Sequence, residues 1–191
     1  MTKEELRKDY KRRRTLLTET EISSFNGALQ QYLIQYDWSD VGYVHTFLPI
    51  VGKNEPDMWS FITNLRIYHP DIKIVVSRSE PQDCSMQHFL LTADIDLKEN
   101  AWGIIEPVGG ERIKEALLDV VLVPLLIADT EGNRVGYGKG FYDRFLAKCR
   151  PDCHKIGISL FEPVEKIDDV GPRDVPLDML ITPYSVMQFG I

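Results

Sequence analysis

The run Val120 to Ala128, VVLVPLLIA, constrains this chain more than any other stretch. It carries no charged side chain, contains Pro124, and stops at the turn-forming Asp-Thr-Glu-Gly-Asn of residues 129–133. A membrane helix needs about 20 apolar residues, so this run is too short to be one. A strand wetted on one face would alternate apolar and polar residues, whereas one covered on both faces reads as continuous. The run is therefore expected to be an inner strand of a sheet with a layer packed on each side.

Five other segments read as strands: Val41–Pro49 (VGYVHTFLP), Ile72–Ser77 (IKIVVS), His88–Ala93 (HFLLTA), His154–Leu160 (HKIGISL) and Asp178–Thr182 (DMLIT). Helical patterns separate most of them. Thr2 and Glu5 have capping-box spacing and predict a helix from Lys3, with Leu6, Tyr10, Arg13 and Leu17 at helical intervals. A second helix is expected over Ser24–Tyr36. A third is expected after an N-cap at Asp57, running to Tyr68 with Trp59, Ile62, Leu65 and Tyr68 as its apolar stripe. A short one is expected over Phe141–Cys149. Strands alternating with helices indicate an α/β fold with a mostly parallel sheet. The chain has 191 residues, 43% of them hydrophobic, which is enough for one core. With no repeat or linker, residues 1–191 are expected to form a single domain.

Charge is unevenly spread. The net charge is −7, yet residues 1–17 hold seven Lys/Arg against three Asp/Glu, which leaves −11 on the remainder. A basic helix on an acidic body suits a small anionic ligand better than nucleic acid. On a repeat of about 3.6 residues Lys3, Arg7 and Arg14 share a helix face, and a solvated basic face is the plain reading of that stripe. The charged N-terminus lacks the apolar core of a signal peptide, so a cytoplasmic protein without membrane contact is expected. Cys84, Cys149 and Cys153 lack the spacing of a zinc or redox motif and are expected to be free thiols.

The stretch Arg134-Val-Gly-Tyr-Gly-Lys-Gly-Phe-Tyr-Asp143 carries the chemistry. Gly136, Gly138 and Gly140 expose the backbone between a buried strand and a helix start. Amides there can face a phosphate, and the helix N-terminus favours negative charge. Lys139 and Arg134 are candidate cations. The pattern is neither G-x-x-x-x-G-K-[ST] nor G-x-G-x-x-G, so an anion-binding loop and a structural turn both remain open. Asp143 could cap the helix or, with Asp174 of Pro172-Arg-Asp-Val-Pro176, hold Mg²⁺ together with phosphate oxygens. Tyr137, Phe141, Tyr142 and Trp102 offer flat faces for a ring.

These residues resemble the 5-formyltetrahydrofolate cyclo-ligase family over most of the chain. The most specific block is Asp119–Arg144, where Pro124, Asp129, Gly132, Arg134, Gly136, Gly138, Gly140, Phe141, Tyr142 and Asp143 match the family's pattern. Lys3-Glu-Glu-Leu-Arg7, Trp102-Gly-Ile-Ile-Glu-Pro107 and Arg173-Asp-Val-Pro-Leu-Asp178 resemble three further blocks. The resemblance implies a three-layer α/β/α fold of the NagB/RpiA/CoA-transferase-like kind. It implies ATP held by residues 3–7 (Lys3, Glu4, Glu5, Leu6, Arg7), Arg134 and the loop Gly136–Tyr142. It implies a folate site at Leu48, Glu55, Trp102, Tyr137 and Phe141, Mg²⁺ at Asp143 and Asp174, and catalytic roles for Lys139, Arg134 and Tyr142. Glu55 fits the family's E-V-D-T segment only after a slightly longer loop, with Met58 in place of threonine, and Arg173 stands where histidine is common. The implied reaction closes 5-formyltetrahydrofolate, with or without a polyglutamate tail, to 5,10-methenyltetrahydrofolate, in a monomer. The alternatives are a silent nucleotide- or folate-binding relative, a phosphosugar or acyl-CoA enzyme of the same fold, and a nucleic-acid binder using Lys11–Arg14.

Overall fold

The computed structural model describes residues 1–190. Helices α1 (Lys3–Leu16) and α2 (Glu19–Gln35) come first. Strand β1 (Tyr43–His45), helix α3 (Met58–Tyr68) and the hairpin β2 (Lys73–Glu80)–β3 (Ser85–Leu90) follow. Two short antiparallel pairs lie outside the main sheet: β4 (Leu97–Glu99) with β5 (Ile105–Pro107), and β7 (Ile127–Ala128) with β8 (Arg134–Val135). Strand β6 (Val120–Pro124), helix α4 (Phe141–Leu146) and strands β9 (His154–Ile158), β10 (Met179–Ile181) and β11 (Val186–Gln188) complete the order.

Seven strands form one sheet in the order β11-β10-β9-β6-β1-β2-β3. Its inner pairings are parallel, and the two edge strands, β3 and β11, run antiparallel. Alternate residues of each strand serve opposite faces. Val44, Ile74, Val120, Leu122, Ile156 and Ile158 pack under α2 and α3. Val75, Val121, Val123 and Leu180 pack under Phe145 and Leu146 of α4. The sheet is thus covered on both sides, as the continuous apolar runs require. Helix α1 sits apart from both layers, laying Leu6 and Tyr10 on Leu126, Ile127 and Val135.

Several boundaries differ from expectation, each for a local reason. The run Val120–Ala128 is not one strand. Pro124 has no N–H to continue the ladder, and the chain leaves the sheet to pair Ile127 and Ala128 with Arg134 and Val135 instead. Helix α2 starts at Glu19, because Thr18 and Glu21 form a second capping box that the apolar pattern alone did not reveal. Strand β1 covers only Tyr43–His45 of the expected Val41–Pro49, and the buried residues after it form a loop. The expected strand His88–Ala93 lies instead at Ser85–Leu90, paired back on β2. In α3 the core side chains are Met58, Phe61, Ile62 and Leu65, while Trp59 and Tyr68 are exposed. Among the described residues no helix is long and apolar enough to cross a membrane.

Candidate active site

Ligands of open parallel sheets collect beyond the C-terminal ends of the strands. Here a cavity of about 580 Å³ lies there, walled by the residues after β1, the ends of β2 and β6, α1 and the glycine loop. Of the residues singled out from sequence, Lys3, Arg7, Leu48, Glu55, Trp102, Arg134, Gly136–Asp143 and Asp174 all line it. Glu4, Glu5 and Leu6 do not. Leu6 is core, Glu5 closes the capping box on Thr2, and Glu4 points to solvent, because consecutive helix positions cannot share one face.

The α1 stripe reaches the cavity as Lys3, Arg7 and Lys11. Arg7 donates from Nε to the Gly136 carbonyl at 3.0 Å. That approach explains Gly138. Its φ is +97°, and a Cβ there would sit 3.1 Å from Arg7 Cζ and Nε. Gly140, at φ +71°, starts α4, and Arg144 Nη1 donates to the carbonyls of Lys139 and Gly140. Lys139 holds its ammonium 4.0 Å over the Trp102 ring, which brings together two candidates far apart in sequence.

Two further cations of the lining, Arg134 and Lys3, are already paired with acids. Arg134 is largely buried. It donates to the Val175 carbonyl and, at 2.7 Å, to Asp143 Oδ1, and its pKa is lowered by burial against the pull of Asp143. Lys3 donates to Asp174 Oδ2, which also accepts the Gly171 amide at 2.5 Å. Burial works to raise the Asp174 pKa, but the Lys3 ammonium and that amide hold it below the usual value. The second oxygens, Asp143 Oδ2 and Asp174 Oδ1, have no hydrogen-bond partner among the described residues. No group of three metal-ligating side chains occurs among those residues. The pair fits a hard cation that takes one or two carboxylates and draws its other ligands from phosphate and water, as Mg²⁺ does.

Toward the C-terminus of α1 the stripe changes character. Arg14, read as part of a solvated face, is 3% exposed. Its Nη2 donates to the Leu125 carbonyl at 2.5 Å, Nη1 to Tyr137 Oη at 3.2 Å, and it lies 3.6 Å from Glu55 Oε1. Tyr137 donates to the same Glu55 oxygen at 2.6 Å, and Oε2 accepts the Ile50 amide at 2.8 Å. Glu55 is therefore a fixed, charge-compensated carboxylate. Burial, then the Glu55 charge, raises the Tyr137 pKa, so the phenol stays protonated. Tyr142 is raised by burial in the same way, and its hydroxyl has no partner among the described residues.

A polar relay that begins in the cavity wall, with His45 and Ser77 among the lining residues, has no counterpart among the residues singled out from sequence. Ser77 Oγ lies 2.7 Å from His45 Nε2 and 2.8 Å from His88 Nδ1, and His88 Nε2 lies 3.8 Å from Glu115 Oε1. Burial drives the His45 pKa well below its usual value and that of His88 to about 4, so both rings are neutral. No sequence signal could have found it, because its members come from three strands and a turn.

The likenesses to known proteins agree with this geometry. The Escherichia coli "5-formyltetrahydrofolate cyclo-ligase" is 37% identical over 174 residues, 87% of this chain and 78% of that protein. A "probable 5-formyltetrahydrofolate cyclo-ligase" of Schizosaccharomyces pombe is 33% identical over 103 residues, so the matched segment spans 50% of that relative. The Aquifex aeolicus 5,10-methenyltetrahydrofolate synthetase structure superposes with a TM-score of 0.83 at 28% identity, covering 98% of this chain and 93% of that one. With a family model that matches residues 1–183, this chain belongs to the 5-formyltetrahydrofolate cyclo-ligase family.

Proposed function

We propose that the chain converts 5-formyltetrahydrofolate and ATP to 5,10-methenyltetrahydrofolate, ADP and phosphate. The observation that carries this reading is one cavity with two chemically distinct ends. Lys3, Arg7 and Lys139 stand with the glycine loop at one end, Glu55 and the apolar Phe47, Leu48 and Ile105 stand at the other, and Tyr137 of the loop joins the two through its hydrogen bond to Glu55. The γ-phosphoryl group passes to the formyl oxygen, which turns a poor leaving group into phosphate. N10 then bonds to the formyl carbon and loses its proton as the carbon–oxygen bond to phosphate breaks.

The protein's task is alignment and charge stabilisation, since the second step is intramolecular and no protein nucleophile is required. Lys139 and Arg7 neutralise charge on the phosphates. Arg134 holds Asp143 in place, a positioning role in keeping with its burial, rather than the direct phosphate contact expected from sequence. Asp143 and Asp174 would hold Mg²⁺, which when bound would shield the phosphate charge. The Tyr142 hydroxyl, protonated and unpaired, is placed to donate to an oxygen of the bound reactants.

Growth of the methenyl absorbance from 5-formyltetrahydrofolate, requiring both ATP and magnesium, is the expected result. Binding of both ligands without product would favour the silent relative. Thermal stabilisation by a sugar phosphate but not by ATP would favour a phosphosugar enzyme.

A further inference from the structure

Glu106, in β5, is a buried carboxylate without a cation. It is 7% exposed and lines the cavity, as do its strand neighbour Ile105 and Leu48. Its Oε1 accepts the Ser79 amide at 2.8 Å. Its Oε2 makes no hydrogen bond or ion pair among the described residues. Unlike Arg14 Nε, His45 Nδ1 and His88 Nε2, it is not sealed among the orphaned buried atoms, so the surface it keeps opens on the cavity. Desolvating a carboxylate costs several kcal/mol unless donors replace water. The site therefore asks its occupant for N–H groups.

The two ligands of the proposed reaction differ in what they can offer. Triphosphate is repelled by a carboxylate. Adenine presents its amino group beside an acceptor nitrogen, so a carboxylate meets one donor and one lone pair. The 2-amino-4-oxopyrimidine edge of a reduced pterin presents the N3–H and an amino N–H side by side, two donors spaced for the two oxygens of one carboxylate. We infer that Glu106 receives this edge and so determines which ring occupies the inner end of the cavity. The inference rests on the proposed cyclo-ligase reaction and assigns a substrate contact within it. Glu55, whose oxygens are already engaged by Tyr137, Arg14 and the Ile50 amide, is less free to do so.

The substitution Glu106→Gln tests it. The amide oxygen can still accept from Ser79, while the new NH₂ faces a donor edge and leaves it unpaired. KM for 5-formyltetrahydrofolate should rise on the order of 100-fold, as when a buried hydrogen-bonding group meets the wrong partner. KM for ATP should stay within about threefold, a split that a general loss of packing would not give. A substrate analogue carrying 2-methyl in place of 2-amino probes the same contact without any variant. It should lose a similar factor on the unmodified protein and lose little more on Glu106→Gln, since contacting groups are not additive. An unchanged folate KM in the variant, or an analogue that binds the unmodified protein as well as the natural substrate does, overturns the assignment and leaves the cyclo-ligase reading standing. No methenyl product from the unmodified protein overturns both.

Discussion

The two ends of the cavity are built in opposite ways. The end proposed to take phosphate comes from two short contiguous segments, Lys3–Lys11 and Arg134–Asp143, and its groups are held by contacts that a ligand can replace. Lys139 rests on an indole, Lys3 on Asp174, and Arg7 on a carbonyl. The inner end comes from residues scattered over Arg14, Glu55, Ser77 and Glu106, each held by its own bonds, and it meets the glycine loop where Tyr137 bonds Arg14 and Glu55. The difference suits the ligand proposed for each end. A triphosphate is flexible and is gripped by mobile cations and backbone amides, whereas a ring needs acceptors fixed before it arrives.

That contrast can be broken by removing one member of each end. The largest effect is expected at Arg14. Arg14→Ala leaves Glu55 buried without its cation, and breaking such a pair costs about 3–5 kcal/mol. The melting temperature should drop by roughly 10 °C. A fall of less than about 2 °C in calorimetry would mean that the inner lock is not structural.

The relay gives the next effect, through pH. His88 in the folded chain has a pKa of about 4 against its ordinary 6.5. Between those values the unfolded chain binds more protons, so stability is full above about pH 6.5 and is lost as pH falls toward 4. The size is on the order of 3 kcal/mol. Urea midpoints across this window should flatten in His88→Gln, and an unchanged slope would contradict a neutral His88.

At the phosphate end the effects should appear in catalysis rather than in stability. Lys139→Ala should lower kcat on the order of 100-fold, as loss of a preorganised charge does, while leaving the melting temperature almost unchanged. Activity within about twofold of the parent would remove Lys139 from the chemistry. Gly138→Ala sharpens the same point. At a φ of +97° a side chain is strained, and its Cβ would push the Arg7 guanidinium back by a few tenths of an ångström. The strain is about 1–3 kcal/mol, so ATP should bind roughly tenfold or more weakly while the folate affinity holds. Titration of each ligand separately would check it.

Features that depend only on neighbours in the chain are the ones legible in the sequence. The capping box at Thr2, the N-cap at Asp57 and the glycine loop are local devices, and each is found where its residues predict it. The start of α2 is also local, written in Thr18 and Glu21 but masked by the weaker apolar pattern after it. The break at Pro124 is visible as a residue but not as an event, because only the competing partners Arg134 and Val135 decide where the chain goes next.

The sequence by itself determined the covered sheet, the basic stripe of α1 and the place of the glycine loop between a strand and a helix, since periodicity and short-range spacing encode them. The tertiary structure alone decided that Arg14 turns inward while Lys3, Arg7 and Lys11 line the cavity, that Lys139 meets Trp102, and that His45, Ser77 and His88 share one hydrogen-bonded chain. The physical reason is that a side chain's charge and donors are set by its type. Whether they face water, a ligand or a buried partner is set by which distant strand ends the sheet brings together.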